Sequence, residues 1–216
     1  MDVFRNNPCA IGLDLSARND LTAAVLAAVD DEGVVHLFPF VFTPLTGIEE
    51  RGQQARAPYA QWAKDGKLIP VTGNTIDYEY VATYMRDQLD DLGISIATLC
   101  FDRWRIDLFR KACEESSALL GARWSPVGQG FKDFSPRLES FEAKLLEGKV
   151  RHGSHPLLNM SAANAIAVQD AAGSKKIDKS KSTQRIDPLV AAVMALHEVT
   201  EGEKLGLPDD LGFLIA

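Results

Sequence analysis

The stretch Cys9-Ala10-Ile11-Gly12-Leu13-Asp14-Leu15-Ser16 decides how this chain is read. It is a short apolar run, of the length that suits a buried strand, and it carries one carboxylate near its end. A buried charge is costly unless a hydrogen-bonded neighbour, a basic partner or a metal ion compensates it. The reading adopted here is a metal ion, with Asp14 as its first ligand and two distant aspartates, Asp102 and Asp187, folded beside it.

Working outward, Leu21 to Val29 and Val34 to Phe42 are two further apolar, β-branched or aromatic runs. Asp30-Asp31-Glu32-Gly33 between them is a turn signal, so residues 9–16 and these two runs are expected to form an antiparallel meander. Helices are expected at Ile48 to Ala55, from Pro58-Tyr59, and from an Asn74 or Thr75 cap to Leu92 with Gly93 as its stop. Leu68 to Val71 is extended. Ile94 to Phe101 is a fourth strand, again ending on a carboxylate, Asp102. A helix over Trp104 to Glu115 with Leu108, Phe109 and Ala112 inward follows, then a fifth strand over Ala122 to Val127. Ser135-Pro136 opens a helix to about Glu147, with Leu138, Phe141, Leu145 and Leu146 inward. After Lys149 to His152, short and extended, come a helix over Pro156 to Ala163 and a hairpin of Ala165 to Asp170 with Lys175 to Ile177. The last helix spans about Thr183 to Val199. A meander followed by alternating strands and helices implies an α/β fold, a mixed sheet of three antiparallel and then parallel strands with helices on both faces. Residues 1–200 make one domain and 201–216 a tail.

The 216 residues suffice for one core, and no apolar run approaches the ~20 residues of a membrane span. Cys9, Cys100 and Cys113 follow no metal spacing and are expected as reduced thiols in a cytosolic protein. There is no Gly-x-x-x-x-Gly-Lys-Ser/Thr phosphate loop, so no ATP-driven motor is expected in the chain. A net charge of −7 argues against coating of nucleic acid by bulk attraction and leaves a nuclease open. Ser174 to Arg185, however, carries Lys175, Lys176, Lys179, Lys181 and Arg185 against Asp178 alone. Such an arm can grip phosphate locally, or can be a solvated loop.

Asp14 and Asp102 each follow an apolar strand, and α/β sheets build their sites at the carboxyl ends of adjacent strands. If those strands are parallel neighbours, the two carboxylates lie side by side and raise each other's pKa unless a cation sits between them; the alternative is that each aspartate caps a following turn. Oxygen donors select Mg²⁺ or Mn²⁺ over zinc. Asp187 shares a helix face with Val190, Ala191 and Met194, and small residues at Ala191, Ala192 and Ala195 would let that helix approach a sheet. Asp187 before Pro188 also suits a helix cap, and the sequence leaves cap and ligand open. Three carboxylates can hold two divalent ions about 4 Å apart, the arrangement that clamps the attacking and leaving oxygens of a phosphodiester.

Gly12-Leu13-Asp14-Leu15-Ser16 with Asp20-Leu21-Thr22-Ala23, then Phe101-Asp102-Arg103-Trp104, then Arg185-Ile186-Asp187-Pro188-Leu189-Val190-Ala191, resembles the C-terminal nuclease domain of the large terminase subunit of tailed phages and prophages. Asp77-Tyr78-Glu79-Tyr80-Val81, Gln129-Gly130-Phe131-Lys132 and Glu147-Gly148-Lys149-Val150-Arg151-His152-Gly153 fit the same pattern, over about residues 9 to 200. The resemblance implies a ribonuclease H-like fold and two-metal cleavage of concatemeric phage DNA during packaging. It implies that Asp14, Asp102 and Asp187 are catalytic and hold two Mg²⁺ or Mn²⁺ ions. Its implied partners are double-stranded DNA, the terminase small subunit, the portal protein and a separate or missing ATPase domain, in the host cytoplasm and away from membranes. Lys179, Lys181, Arg185 and Arg103 are the expected backbone contacts, and the hairpin at Ala165 to Ile177 is expected to turn its lysines to DNA. Ser16 and Asp20 could order water at the metals or serve a turn. A junction resolvase or transposase-like nuclease would share the carboxylates, and a non-catalytic assembly module would show no metal dependence. An actin-like nucleotide fold also begins Gly-x-Asp, but Leu15-Ser16-Ala17-Arg18 lacks the glycine loop it needs.

Overall fold

The computed structural model describes residues 1–15, 21–103, 106–182 and 185–201. A short helix α1 (Asp2–Asn6), which buries only Phe4 and is too brief to show a helical period, precedes strand β1 (Cys9–Asp14). Strands β2 (Thr22–Val29) and β3 (Val35–Pro44) complete the expected meander, with Gly12 opposite Val25 and Val25 opposite Pro39. The turn between them is held by Asp30, whose Oδ1 accepts the N–H groups of Glu32 and Val34, with Gly33 at φ 72°. Then come α2 (Ile48–Ala55), α3 (Tyr59–Lys64), β4 (Ile69–Val71) and α4 (Tyr78–Leu92). The cap of α4 is Asp77 rather than Asn74 or Thr75, because its carboxylate accepts the Glu79 N–H at 2.9 Å.

The second half runs β5 (Ile96–Asp102), α5 (Ile106–Glu115), β6 (Arg123–Val127), α6 (Phe131–Leu146), β7 (Val150–Arg151), α7 (Pro156–Asn164), β8 (Ala167–Gln169), β9 (Lys175–Ile177) and α8 (Asp187–Glu201). Helix α6 starts one turn before Ser135-Pro136 and carries Pro136 inside it, since the added turn buries Phe134 beneath Leu138 and Phe141. Its inward face ends there: Leu145 is 49% and Leu146 90% exposed, and Leu108 of α5 is 58% exposed, against expectation. Helical spacing marks a face without saying how far the neighbouring layer extends under it.

The main sheet has the order β4-β3-β2-β1-β5-β6, with β7 also beside β3, and β8 and β9 form a separate hairpin. β1 is antiparallel to β2 and parallel to β5, so it lies where the two halves of the mixed sheet meet. Its side chains alternate between faces. Cys9, Ile11 and Leu13 enter a core with Met85 and Leu89 of α4 and Phe109 and Cys113 of α5. On the other face Ala23, Val25 and Ala27 of β2 and Cys100 of β5 pack with α8 and with Phe134, Leu138 and Phe141 of α6. Covered on both faces, β1 and β2 read as continuous apolar runs.

Gly12 fixes the height of α8 on that second face. A Cβ at Gly12 would lie 1.9 Å from the Ala191 carbonyl oxygen and 2.9 Å from the Ala195 nitrogen. The helix backbone therefore rests on the strand backbone, with Ala191 and Ala195 fully buried at the contact. No rotamer can relieve a clash with backbone. Gly12→Ala is expected to cost about 3 kcal/mol in urea denaturation. Gly121→Ala, whose added carbon meets nothing within 4 Å on an exposed turn, should change stability by no more than about 0.5 kcal/mol.

Candidate metal centre

The close seating of α8 brings three chain segments to the carboxyl end of β1. Leu13 pairs with Phe101 of the parallel neighbour β5, and Asp14 and Asp102 are the next residues on each strand. Alternation from Gly12 and from Cys100 puts both on the α8 side of the sheet. Asp187 starts α8, one helical turn before Ala191, and so stands at the same end as Asp14. The Ile186 carbonyl accepts the N–H groups of Leu189 and Val190. Asp187 is thus already inside the first turn, one residue past a capping position, and the cap alternative does not hold.

Asp14 and Asp187 are both buried, with side chains 3% and 11% exposed, and they share one cation. Lys179 Nζ donates to both oxygens of Asp14, at 2.8 and 2.6 Å, and lies 3.5 Å from Asp187 Oδ1. Burial works against the charged form of Lys179, but the charges of Asp14, Asp187 and Asp102 outweigh it and hold the ammonium well above its ordinary pKa. Burial, and then the charge of Asp14, push the Asp187 carboxyl up to about 6. The lysine is presented by a tight turn in which Asp178 Oδ1 accepts from the Ser180 N–H at 2.9 Å and its hydroxyl at 2.6 Å. The Ser182 hydroxyl donates to the Asp178 carbonyl at 2.8 Å.

Among the described residues, no three His, Cys, Asp or Glu side chains converge closely enough to enclose an ion, and the ammonium stands between the carboxylates instead. The donor set nonetheless suits a hard cation. It offers carboxylate oxygens only, and it already holds a positive charge in direct contact.

The basic residues divide into two groups. Lys181 and Arg103 are exposed, Arg103 directly after Asp102, and Arg185 is half-buried beside Asp187, where its charge favours the carboxylate. Lys179, expected to reach outward to phosphate, is turned inward. Two hairpin lysines are also engaged: Lys175 pairs with Glu142 of α6 at 2.8 Å, and Lys176 lies 5.0 Å from the Phe131 ring. Ser16 and Asp20 lie outside the described residues.

A family model described as the terminase large subunit, endonuclease domain, matches residues 1–203. The chain belongs to this terminase family. A large terminase subunit of Enterobacteria phage HK97 is 46% identical over 194 residues, covering 88% of this chain and 38% of that protein. The crystal structure of the HK97 large terminase superposes with a TM-score of 0.83 at 44% identity, over 90% of this chain and 40% of the other. The large terminase nuclease of thermophilic phage G20c, solved with bound magnesium, shares the fold at a TM-score of 0.55 and 10% identity, over 89% of this chain and 82% of that one. The fold is therefore that of the terminase nuclease domains, mixed-sheet and ribonuclease H-like. The chain spans about two fifths of the length of the HK97 subunit. No described helix is long and apolar enough to cross a membrane.

The raised pKa of Asp187 has a sign that can be measured. Between its ordinary value of 3.8 and about 6, the folded state keeps a proton that the unfolded chain has released. Stability of the metal-free terminase domain should therefore fall as pH rises through that window and then level off. Asp187→Asn should remove this slope and exceed the wild type by about 1–3 kcal/mol at pH 7, the gap closing towards pH 4. Urea denaturation in chelator across that range measures it.

Proposed function

We propose that this domain is a divalent-metal-dependent endodeoxyribonuclease that cuts concatemeric viral DNA during genome packaging. Asp14, Asp102 and Asp187 are assigned to hold two Mg²⁺ or Mn²⁺ ions. The observation that carries the reading is the sharing of one cation by Asp14 and Asp187, buried residues from opposite ends of the chain. Burying like charges beside each other is unfavourable unless the site exists to hold positive charge. Family membership supports the same chemistry, and magnesium in the related G20c nuclease favours a hard divalent ion.

Bound ions would supply activation of a water nucleophile and stabilisation of the departing 3′ oxygen of a phosphodiester. The chain's own residues supply the rigidity. Asp14 is held at the end of a strand paired on both sides, Asp102 follows the neighbouring strand, and Asp187 is set by the first turn of a helix seated on Gly12. Arg103, Lys181 and Arg185 flank the cluster and are assigned to the DNA backbone, so that a locally basic rim grips phosphate on a protein of net charge −7. Because the HK97 relative is longer, packaging partners are also assigned by proposal: an ATPase domain, the small subunit and the portal, in the host cytoplasm.

Cleavage of linear duplex, branched and single-stranded DNA in Mg²⁺ or Mn²⁺ tests this reading. Cutting of linear duplex with little sequence preference is expected, abolished by chelation and in Asp14→Ala, Asp102→Ala and Asp187→Ala alike. Activity confined to branched substrates would point to a resolvase, and full activity in all three variants would remove the site. Arg103→Ala and Lys181→Ala should each weaken DNA binding uniformly across sequences and reduce the salt slope of affinity by about 1.

A further inference from the structure

We propose, resting on the metal-site reading above, that Lys179 is an internal counterion that fills the carboxylate cradle in the metal-free protein and leaves it when divalent ions bind. The geometry is that of a substituted cation. Nζ contacts both oxygens of Asp14 and reaches Asp187, so it covers oxygens that an ion would need. An ammonium and a divalent ion cannot share those oxygens at contact distance without strong mutual repulsion. One of the two must withdraw.

The surroundings say which group moves and how far. Asp14 and Asp187 are fixed by a central strand and a buried helix, whereas the Lys179 side chain is 45% exposed. Its backbone is tied down by the Asp178 turn and by the Asp178 N–H to the Ile166 carbonyl at 2.9 Å. The hairpin before it is anchored on α6 through Lys175 and Lys176. Exchange is therefore a side-chain rotation, with no unravelling of the turn. A lysine is suited to this because its charge rides on a flexible four-carbon stem. Withdrawn from the cradle, the ammonium stays at the rim of the site, where a phosphate backbone would lie.

Manganese binding to the full chain, followed by electron paramagnetic resonance or calorimetry, tests the exchange. Lys179→Gln should bind Mn²⁺ at least ~10-fold tighter than wild type. Lys179→Arg, which keeps the charge, should stay near wild type. Without metal, Lys179→Gln should melt below wild type, and saturating Mn²⁺ should close the gap. In the unaltered protein, reductive methylation of Lys179 read by peptide mass spectrometry should be slow in chelator and several-fold faster with Mn²⁺. Equal or weaker Mn²⁺ affinity in Lys179→Gln, or unchanged Lys179 reactivity when the metal is bound, would overturn the proposal. If wild type binds Mn²⁺ and Asp14→Asn does not, that failure leaves the metal site standing. If neither wild type nor Lys179→Gln binds Mn²⁺, the metal-site reading falls as well.

Discussion

The contact on which the molecule depends is backbone against backbone: helix α8 lying on strand β1 at Gly12. Most helix-on-sheet packing is separated by two layers of side chains. Here, at Gly12, the strand contributes none, and the helix atoms that meet it are backbone atoms of Ala191 and Ala195. The consequence is positional accuracy. A helix held that close cannot slide or rotate by much without collision, because protein interiors are packed as densely as crystals. Asp187, one turn before the contact, inherits that accuracy, as does Asp14, two residues beyond it on the strand. The site is rigid because the core beneath it is.

The sheet topology supplies the second constraint. β1 is the strand at which antiparallel pairing gives way to parallel pairing. The meander needs only tight turns, so it is built locally. The parallel neighbour must arrive by a long crossover, and that crossover delivers a second carboxylate to the same end of the sheet. Matching strand ends, each closing on an aspartate, are therefore the trace in the sequence of two carboxylates brought to one end of the sheet.

That trace is why so much was legible. Strands buried on both faces announce themselves as apolar runs, and the shared ending of the first and fourth runs suggested parallel neighbours, which the sheet shows. The alanines of Val190-Ala191-Ala192-Val193-Met194-Ala195 signal close approach in the sequence itself. What escaped has common physical causes. α1 is too short to show a period. α6 begins before its proline because burial of Phe134 outweighs a local breaker signal. Leu108, Leu145 and Leu146 carry helical spacing on faces that nothing covers, which a one-dimensional pattern cannot report. Lys179 escaped for a different reason. A basic residue in a basic arm reads as outward-facing, and only the turn around Asp178, tied to Ile166, directs it at two carboxylates.

The inward lysine connects the site to the stability of the fold. Two buried carboxylates placed together destabilise a folded chain, and the usual ways to avoid this are to protonate one or to separate them. This protein raises the pKa of Asp187 and also supplies a positive charge from a surface turn. Both measures are reversible: a proton can leave, and a lysine side chain can turn away. Hydrophobic replacement of such a charged cluster is commonly neutral or stabilising, so its retention is not explained by stability alone. By mass action, any ion that binds only the folded cradle stabilises the fold in proportion to the logarithm of its concentration over its dissociation constant. The electrostatic tension of the cluster and the seating of the helix are therefore one arrangement, because Gly12 fixes how closely α8, and Asp187 with it, stands over the strand that ends in Asp14.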